Sequence, residues 1–224
     1  MYDWRHMSPE DRKKLLTQRK AERRPWHKPP HWDLGEGAYH LTAACYEHAH
    51  IIGTTPQRLA DFEEQLLSVA ALGRRPKDVS AGVQANTESA AVGSETQNTL
   101  HAWSVLPNHY HLLVETPDIE ALLSAIGELH GRTSHTWNGE ENARGRKVWF
   151  DRVERAIRSD RHFWVTMNYV HHNPVRHGHV TKWQDWPFSS ARGFLEKVGR
   201  EEAARIWREY PLLDYGKGWD EPDL

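Results

Sequence analysis

A single cysteine, Cys45, is all the thiol chemistry that this 224-residue chain possesses. One thiol excludes an internal disulfide and any multi-cysteine zinc site. No apolar run approaches the roughly 18 residues that a membrane span requires, and the N-terminal "MYDWRHMSPEDRKK" lacks the apolar stretch of a secretory signal. The expectation is a cytoplasmic protein with no membrane partner. Charge of one sign is also lacking, because 29 Lys and Arg face 31 Asp and Glu for a net of −2. With 38% hydrophobic residues, a soluble core of moderate size is within reach, in one domain with trimmings or two small ones.

The near-neutral total conceals an uneven distribution. Residues 1–31 carry nine Lys/Arg against four Asp/Glu, and 142–161 carry seven against three. The segment 201–224 reverses the sign, with seven acidic residues and three basic ones. Basic segments held apart from an acidic tail suit a polyanion bound on one face, although a solvated helical surface of mixed charge gives the same pattern. Eleven tryptophans and sixteen histidines are many for this length. Trp149, Trp164, Trp183 and Trp186 suit either a core or stacking platforms for unpaired bases.

Periodicity divides the chain into elements. Residues 1–37 read as a basic arm, extended where "RRPWHKPPHW" is proline-rich, with a short helix capped by Ser8 and Pro9 before it. Strands are predicted over 38–47, 99–107, 109–116 and 148–157, and helices over 55–73, 118–138 and 159–173. The last helix is expected to stop before Pro174. Residues 75–98, rich in Ser, Ala, Gly and Thr without a period, read as a flexible insertion, and 194–224 as a helical, acidic tail. The order β-α-β-β-α-β, with one extra helix, predicts an α+β, ferredoxin-like antiparallel sheet with helices on one side.

The stretch "LPNHYHLLVETP" (106–117) carries the chemistry. His-x-His is weak by itself, and the chain has three such triplets, His48/His50, His109/His111 and His177/His179. Position separates them. On a strand the side-chain period of 2 turns His109 and His111 to one face and Tyr110 and Leu112 to the other. The other two triplets, at a strand end and in a turn, read as surface histidines. On the helix at 159–173, Tyr169 and Asn173 are one turn apart and lie one above the other. Two imidazole nitrogens and the Asn173 oxygen, with open positions left, suit Mg²⁺ or Mn²⁺ acting on a phosphate.

Together with "NYVHHNPVRHGHV" and "DWPFSSAR", this stretch resembles the REP-associated tyrosine transposases, relatives of the single-tyrosine transposases of small insertion sequences. The resemblance covers roughly residues 38–193 and implies an HUH-endonuclease-like fold. It implies that His109, His111 and Asn173 hold the metal and that Tyr169 is the nucleophile. The implied substrate is single-stranded DNA near palindromic, REP-like hairpins, cut through a 5′-phosphotyrosine intermediate. Arg144, Arg146, Lys147, Arg152, Arg155 and Arg158 are the candidate phosphate contacts. His172 is the nearest candidate base on the helix, though a helix-end histidine of no catalytic role fits it better. A monomer and a homodimer exchanging tyrosine helices both fit. The alternatives are a catalytically silent nucleic-acid-binding module, a phosphoesterase that uses water, and an unrelated α+β scaffold.

Overall fold

The computed structural model describes Ser8, Glu10, Asp11, Lys14, Thr17, residues 36–72 and 98–217, and Trp219. Strands β1 (Gly37–Ala44), β2 (Thr99–Val105), β3 (His109–Thr116) and β4 (Val153–Ala156) form one antiparallel sheet in the order β2-β3-β1-β4. The helices are α1 (Pro56–Leu72), α2 (Ile119–Glu140), α3 (Asp160–Arg176), α4 (Ala191–Val198) and α5 (Arg200–Glu209). Helix α1 connects β1 to β2 across β3, and α2 connects β3 to β4 across β1. That interleaving is the ferredoxin-like pattern, and it makes β1 and β3 the central strands.

Strand alternation sorts the sheet into two chemically different faces. Tyr39, Leu41, Ala43 and Cys45 of β1 and its extension meet Tyr110, Leu112 and Val114 of β3 in the main core. Helices α1 and α2 close that face with Leu59, Phe62, Leu66, Leu122, Ile126 and Leu129, as their heptad-like stripes require. Phe62 is fully buried and touches the rings of Tyr110, Trp137 and Trp149. Cys45 belongs to this core. Burial pushes its thiol up to about 11, so it is an inert packing residue. On the opposite face Ala102 and Leu113 pack under Met167 and Val170 of α3, flanked by Phe163, Trp164, Phe194 and Trp207.

Several boundaries differ from the sequence expectation. Strand β4 is confined to Val153–Ala156, while 148–150 run alongside the end of β1 through Tyr46 N–H to Val148 O and Phe150 N–H to Ala44 O, both 2.8 Å. Helix α3 continues through Pro174 to Arg176. A proline in the last turn forfeits one backbone bond, and the C-terminal carbonyls are covered by His177 N–H, which reaches Asn173 O at 3.1 Å. Ser159 caps the start of α3 and Asp118 that of α2. The expected Ser8 cap is present, with Asp11 N–H donating to Ser8 Oγ at 3.1 Å. The proline-rich arm and the insertion expected at 75–98 lie outside the described residues, apart from Asn98. Among the described residues no helix is long and apolar enough to cross a membrane.

Two buried histidines make the fold sensitive to acid. His130 stacks on Trp149 at 4.0 Å, and His171 bonds Ser190 Oγ at 2.9 Å. Burial pushes both down to about 3. The unfolded chain protonates each imidazole below about 6.5, whereas the native state resists until about 3. Stability present above that upper pH is therefore lost as pH falls through the window, at about 1.4 kcal/mol per pH unit for each histidine. Urea unfolding at stepped pH should show this slope reduced in His130→Gln, with the His171 contribution retained.

Candidate functional site

Strand β3 presents His109 and His111 to the α3 face, opposite Ala44 and Thr42 of β1. Helix α3 lays Tyr169 and Asn173 over them. His109 Nε2 lies 2.9 Å from Asn173 Oδ1, and the His111 ring meets the edge of Tyr169 at a centroid distance of 5.2 Å. The two imidazoles stand 5.1 Å apart at 79° to one another. His109, His111, Tyr169 and Asn173 are each at most 1% exposed. The four residues singled out in the sequence, from segments some 60 residues apart, thus converge on one point.

A chain of hydrogen bonds settles which nitrogen of His109 faces that point. Asn108 Nδ2 donates to the His48 carbonyl at 3.1 Å, which fixes Asn108 Oδ1 as the acceptor beside His109 Nδ1 at 2.7 Å. Nδ1 therefore carries the proton, and Nε2 turns its lone pair toward Asn173. As placed, Nε2 and Asn173 Oδ1 are both electron donors aimed at one position, while Asn173 Nδ2 is buried and meets no acceptor among the described residues. A divalent cation satisfies that arrangement; a half-turn of the amide is the metal-free alternative. No three His, Cys, Asp or Glu among the described residues are arranged so that they could hold a metal ion together, so the donor set at this point is two imidazoles and one amide oxygen.

Two histidines join the site that the sequence reading did not place there. His40 is fully buried on β1, and its Nε2 lies 3.2 Å from His111 Nδ1. That contact orients the second imidazole as Asn108 orients the first. His177, read from the sequence as a surface residue, stacks edgewise on His109 at 4.8 Å. His40 shares a face of β1 with Thr42, and the pairing of β1 with β3 turns that face to His111. His172 points away from the site. Its ring lies against Trp183 and Trp207, and burial holds its basicity down.

The C-terminal segment covers Tyr169. Tyr215 and Trp219 meet its ring at 5.6 and 5.5 Å, and Arg176 stands over it while donating to Gly216 O at 3.0 Å. Gly216 lies at φ +77° so close to the Tyr169 ring that any Cβ there would overlap it. Glycine is required by both space and conformation.

The six basic candidates are divided. Arg144 and Arg146 bracket the end of α2, the first donating to His135 O at 2.7 Å and the second to Asn138 Oδ1 at 2.9 Å and to Glu141. Arg152 lies against Gly127 of α2. Arg155 stacks over Trp219 at 3.8 Å, and Arg158 sits at the start of α3, its N–H on His162. Lys147 stands over the rings of Tyr46 and Phe150. Arg155, opposite His40 in the β1–β4 register, borders the histidine face, and Arg144, Arg146 and Arg152 lie against α2.

The antiparallel α+β sheet, with paired histidines facing a helical tyrosine, has an HUH-like fold. No family model matches the chain. It is 33% identical over 92 residues to a REP-associated tyrosine transposase of Escherichia coli (strain K12), a match spanning 41% of this chain and 53% of that protein. To a putative REP-associated tyrosine transposase of Haemophilus influenzae it is 30% identical over 119 residues, 49% of this chain and 66% of the relative. A solved REP-associated tyrosine transposase bound to a REP hairpin shares the fold at a TM-score of 0.53 and 17% identity, over 79% of this chain and 90% of that one. The chain is thus similar to REP-associated tyrosine transposases, and its matches span about half to two thirds of the curated relatives' lengths.

Asn108→Ala should free His109 Nδ1. Long-range ¹H–¹⁵N correlation spectra are expected to show a mixture of tautomers where the parent chain shows the Nδ1–H form alone. An unchanged tautomer in the variant would remove Asn108 from this role.

Proposed function

We propose that this chain is a metal-dependent transposase of single-stranded DNA that cuts and rejoins strands at palindromic, REP-like hairpins through a 5′-phosphotyrosine. The observation that carries the reading is the convergence of Tyr169 and Asn173 on His111 and His109 across the α3–β3 contact. Support for the substrate comes from the hairpin bound by the structural relative and from the names of the curated relatives.

His109 Nε2, His111 and Asn173 Oδ1 would hold Mg²⁺ or Mn²⁺. The bound ion would supply charge stabilisation at a non-bridging oxygen of the scissile phosphate. Asn108 and His40 keep the two imidazoles turned toward that position. Tyr169 Oη attacks phosphorus as its phenol proton leaves, the Oη–P bond forms and the P–O3′ bond breaks. The departing 3′ oxygen takes up a proton, leaving a 3′-hydroxyl and a tyrosine-linked 5′ end. Because the phosphodiester is conserved, attack by a 3′-hydroxyl on the phosphotyrosine reverses the step and rejoins strands without a nucleotide cofactor. Beside Tyr215 and Trp219, the rings of His40 and His111 lie against Tyr169, whereas His172 packs on Trp183 and Trp207.

The test is a denaturing gel of the full chain incubated with labelled hairpin DNA and Mn²⁺ or Mg²⁺. A labelled band at protein mass is expected, absent in Tyr169→Phe, while hairpin binding by the variant stays within about twofold. Cleavage with no adduct would replace this reading with a water-using phosphoesterase, and binding with neither would leave a silent module. For His109→Ala, calorimetric titration with Mn²⁺ should show affinity reduced by at least about tenfold, and adduct formation should fall in step.

A further inference from the structure

Beside the histidine pair the fold holds two aromatic rings outward under a lysine. Phe150 is 44% exposed and Tyr46 half-buried, in a chain whose other described large hydrophobics, Leu213 apart, are at least partly covered. Their rings lie 6.3 Å apart with 31° between the planes. Lys147 Nζ stands 4.7 Å from the Tyr46 centroid and 5.1 Å from that of Phe150.

The backbone anchors this shelf. Cys45 and Trp149 pair across an antiparallel bridge, and both side chains enter the main core. The next residue, Phe150, stands beside Ala44, its N–H bonding Ala44 O at 2.8 Å, and its ring is exposed instead of entering that core. Ala44 stands opposite His109 in the β1–β3 register, so Phe150 lies two strand spacings from His109, about 10 Å away. Exposed rings fixed in place with a cation over them are what an unpaired base and its phosphate need. Paired bases are already stacked and offer no free face to such a shelf.

We infer that Tyr46, Phe150 and Lys147 form a stacking platform for one unpaired nucleobase of the DNA flanking the hairpin, with Lys147 on that nucleotide's phosphate. The inference rests on the proposed function for its ligand class and adds the element that would hold the single strand next to Tyr169. A base seated there would fix which phosphate reaches the histidine pair, since the spacing between platform and site is set by the sheet.

The experiment is a binding series by fluorescence anisotropy in EDTA, so that no cleavage intervenes, using the full chain. The DNAs are one hairpin with a single-stranded flank, the same hairpin without a flank, and a set with one abasic site stepped along the flank. Phe150→Ala should weaken binding of the flanked hairpin about tenfold and leave the flankless one unchanged. One abasic position should cost the parent chain the same factor and cost Phe150→Ala nothing further. Phe150→Trp should restore binding, and Lys147→Met should lower it for flanked DNA with reduced salt dependence. Equal losses on both DNAs, or no loss on either, would overturn the platform, as would an abasic penalty that persists in Phe150→Ala. Thermal unfolding of each variant keeps a folding defect from passing for a binding one. Platform-dependent binding with no Tyr169 adduct would defeat the proposed function and leave the platform standing. An adduct formed while Phe150→Ala binds flanked DNA like the parent would do the reverse.

Discussion

The pairing of β1 with β3, in which Thr42 stands opposite His111 and Ala44 opposite His109, sorts every side chain of the centre to one face or the other. Slipping that register by one residue would send both histidines into the apolar core and turn Tyr110 and Leu112 to the α3 face. The register is held because the alternate residues, Leu41, Tyr110, Leu112 and Val114, bury fully against α1 and α2. Apolar packing on one face thus guarantees the polar geometry on the other. The interleaved connections of α1 and α2 place both of these strands in the interior of the sheet, where neither has an open edge.

Burying imidazoles and amides is costly unless each polar atom finds a partner. The site meets that cost mostly with groups from outside itself: the His48 carbonyl holds Asn108, Asn108 holds His109, and His40 holds His111. The turn that supplies the His48 carbonyl has Glu47 and His48 at positive φ, a backbone form that non-glycine residues rarely adopt. Local backbone strain therefore sits at the outer end of a hydrogen-bond chain whose inner end is the Nε2 lone pair of His109. The site is preorganised by this chain as much as by the strand that carries it.

Helix α3 has a double task. Met167 and Val170 bury against Ala102 and Leu113, and that contact sets the height at which Tyr169 and Asn173 ride over the histidines. Its outer side supports a second aromatic cluster, with His171, Trp183, Phe194 and Trp207 in mutual contact. The tryptophans met first as core or stacking candidates are thereby accounted for chiefly as packing. The exposed aromatic surface at the site's border is Phe150 with Tyr46, neither of them a tryptophan.

The sequence by itself determined the order of the strands and helices, the shared face of His109 and His111, and the one-turn stacking of Tyr169 on Asn173. Each of these follows from a local period, 2 for a strand and 3.6 for a helix, which a chain displays without its partners. Tertiary structure alone decided the roles of His40 and His177, the lock on His109 through Asn108 and His48, and the cover of Tyr215, Gly216 and Trp219 over Tyr169. It also divided the basic residues into those that lie against α2 and Arg155, which borders the site. These contacts join residues far apart in the chain through strand register and interhelical distance, and no local period encodes either. Helix α3 passing through Pro174 has the same origin, because packing against the sheet outweighs the single backbone bond that the proline removes.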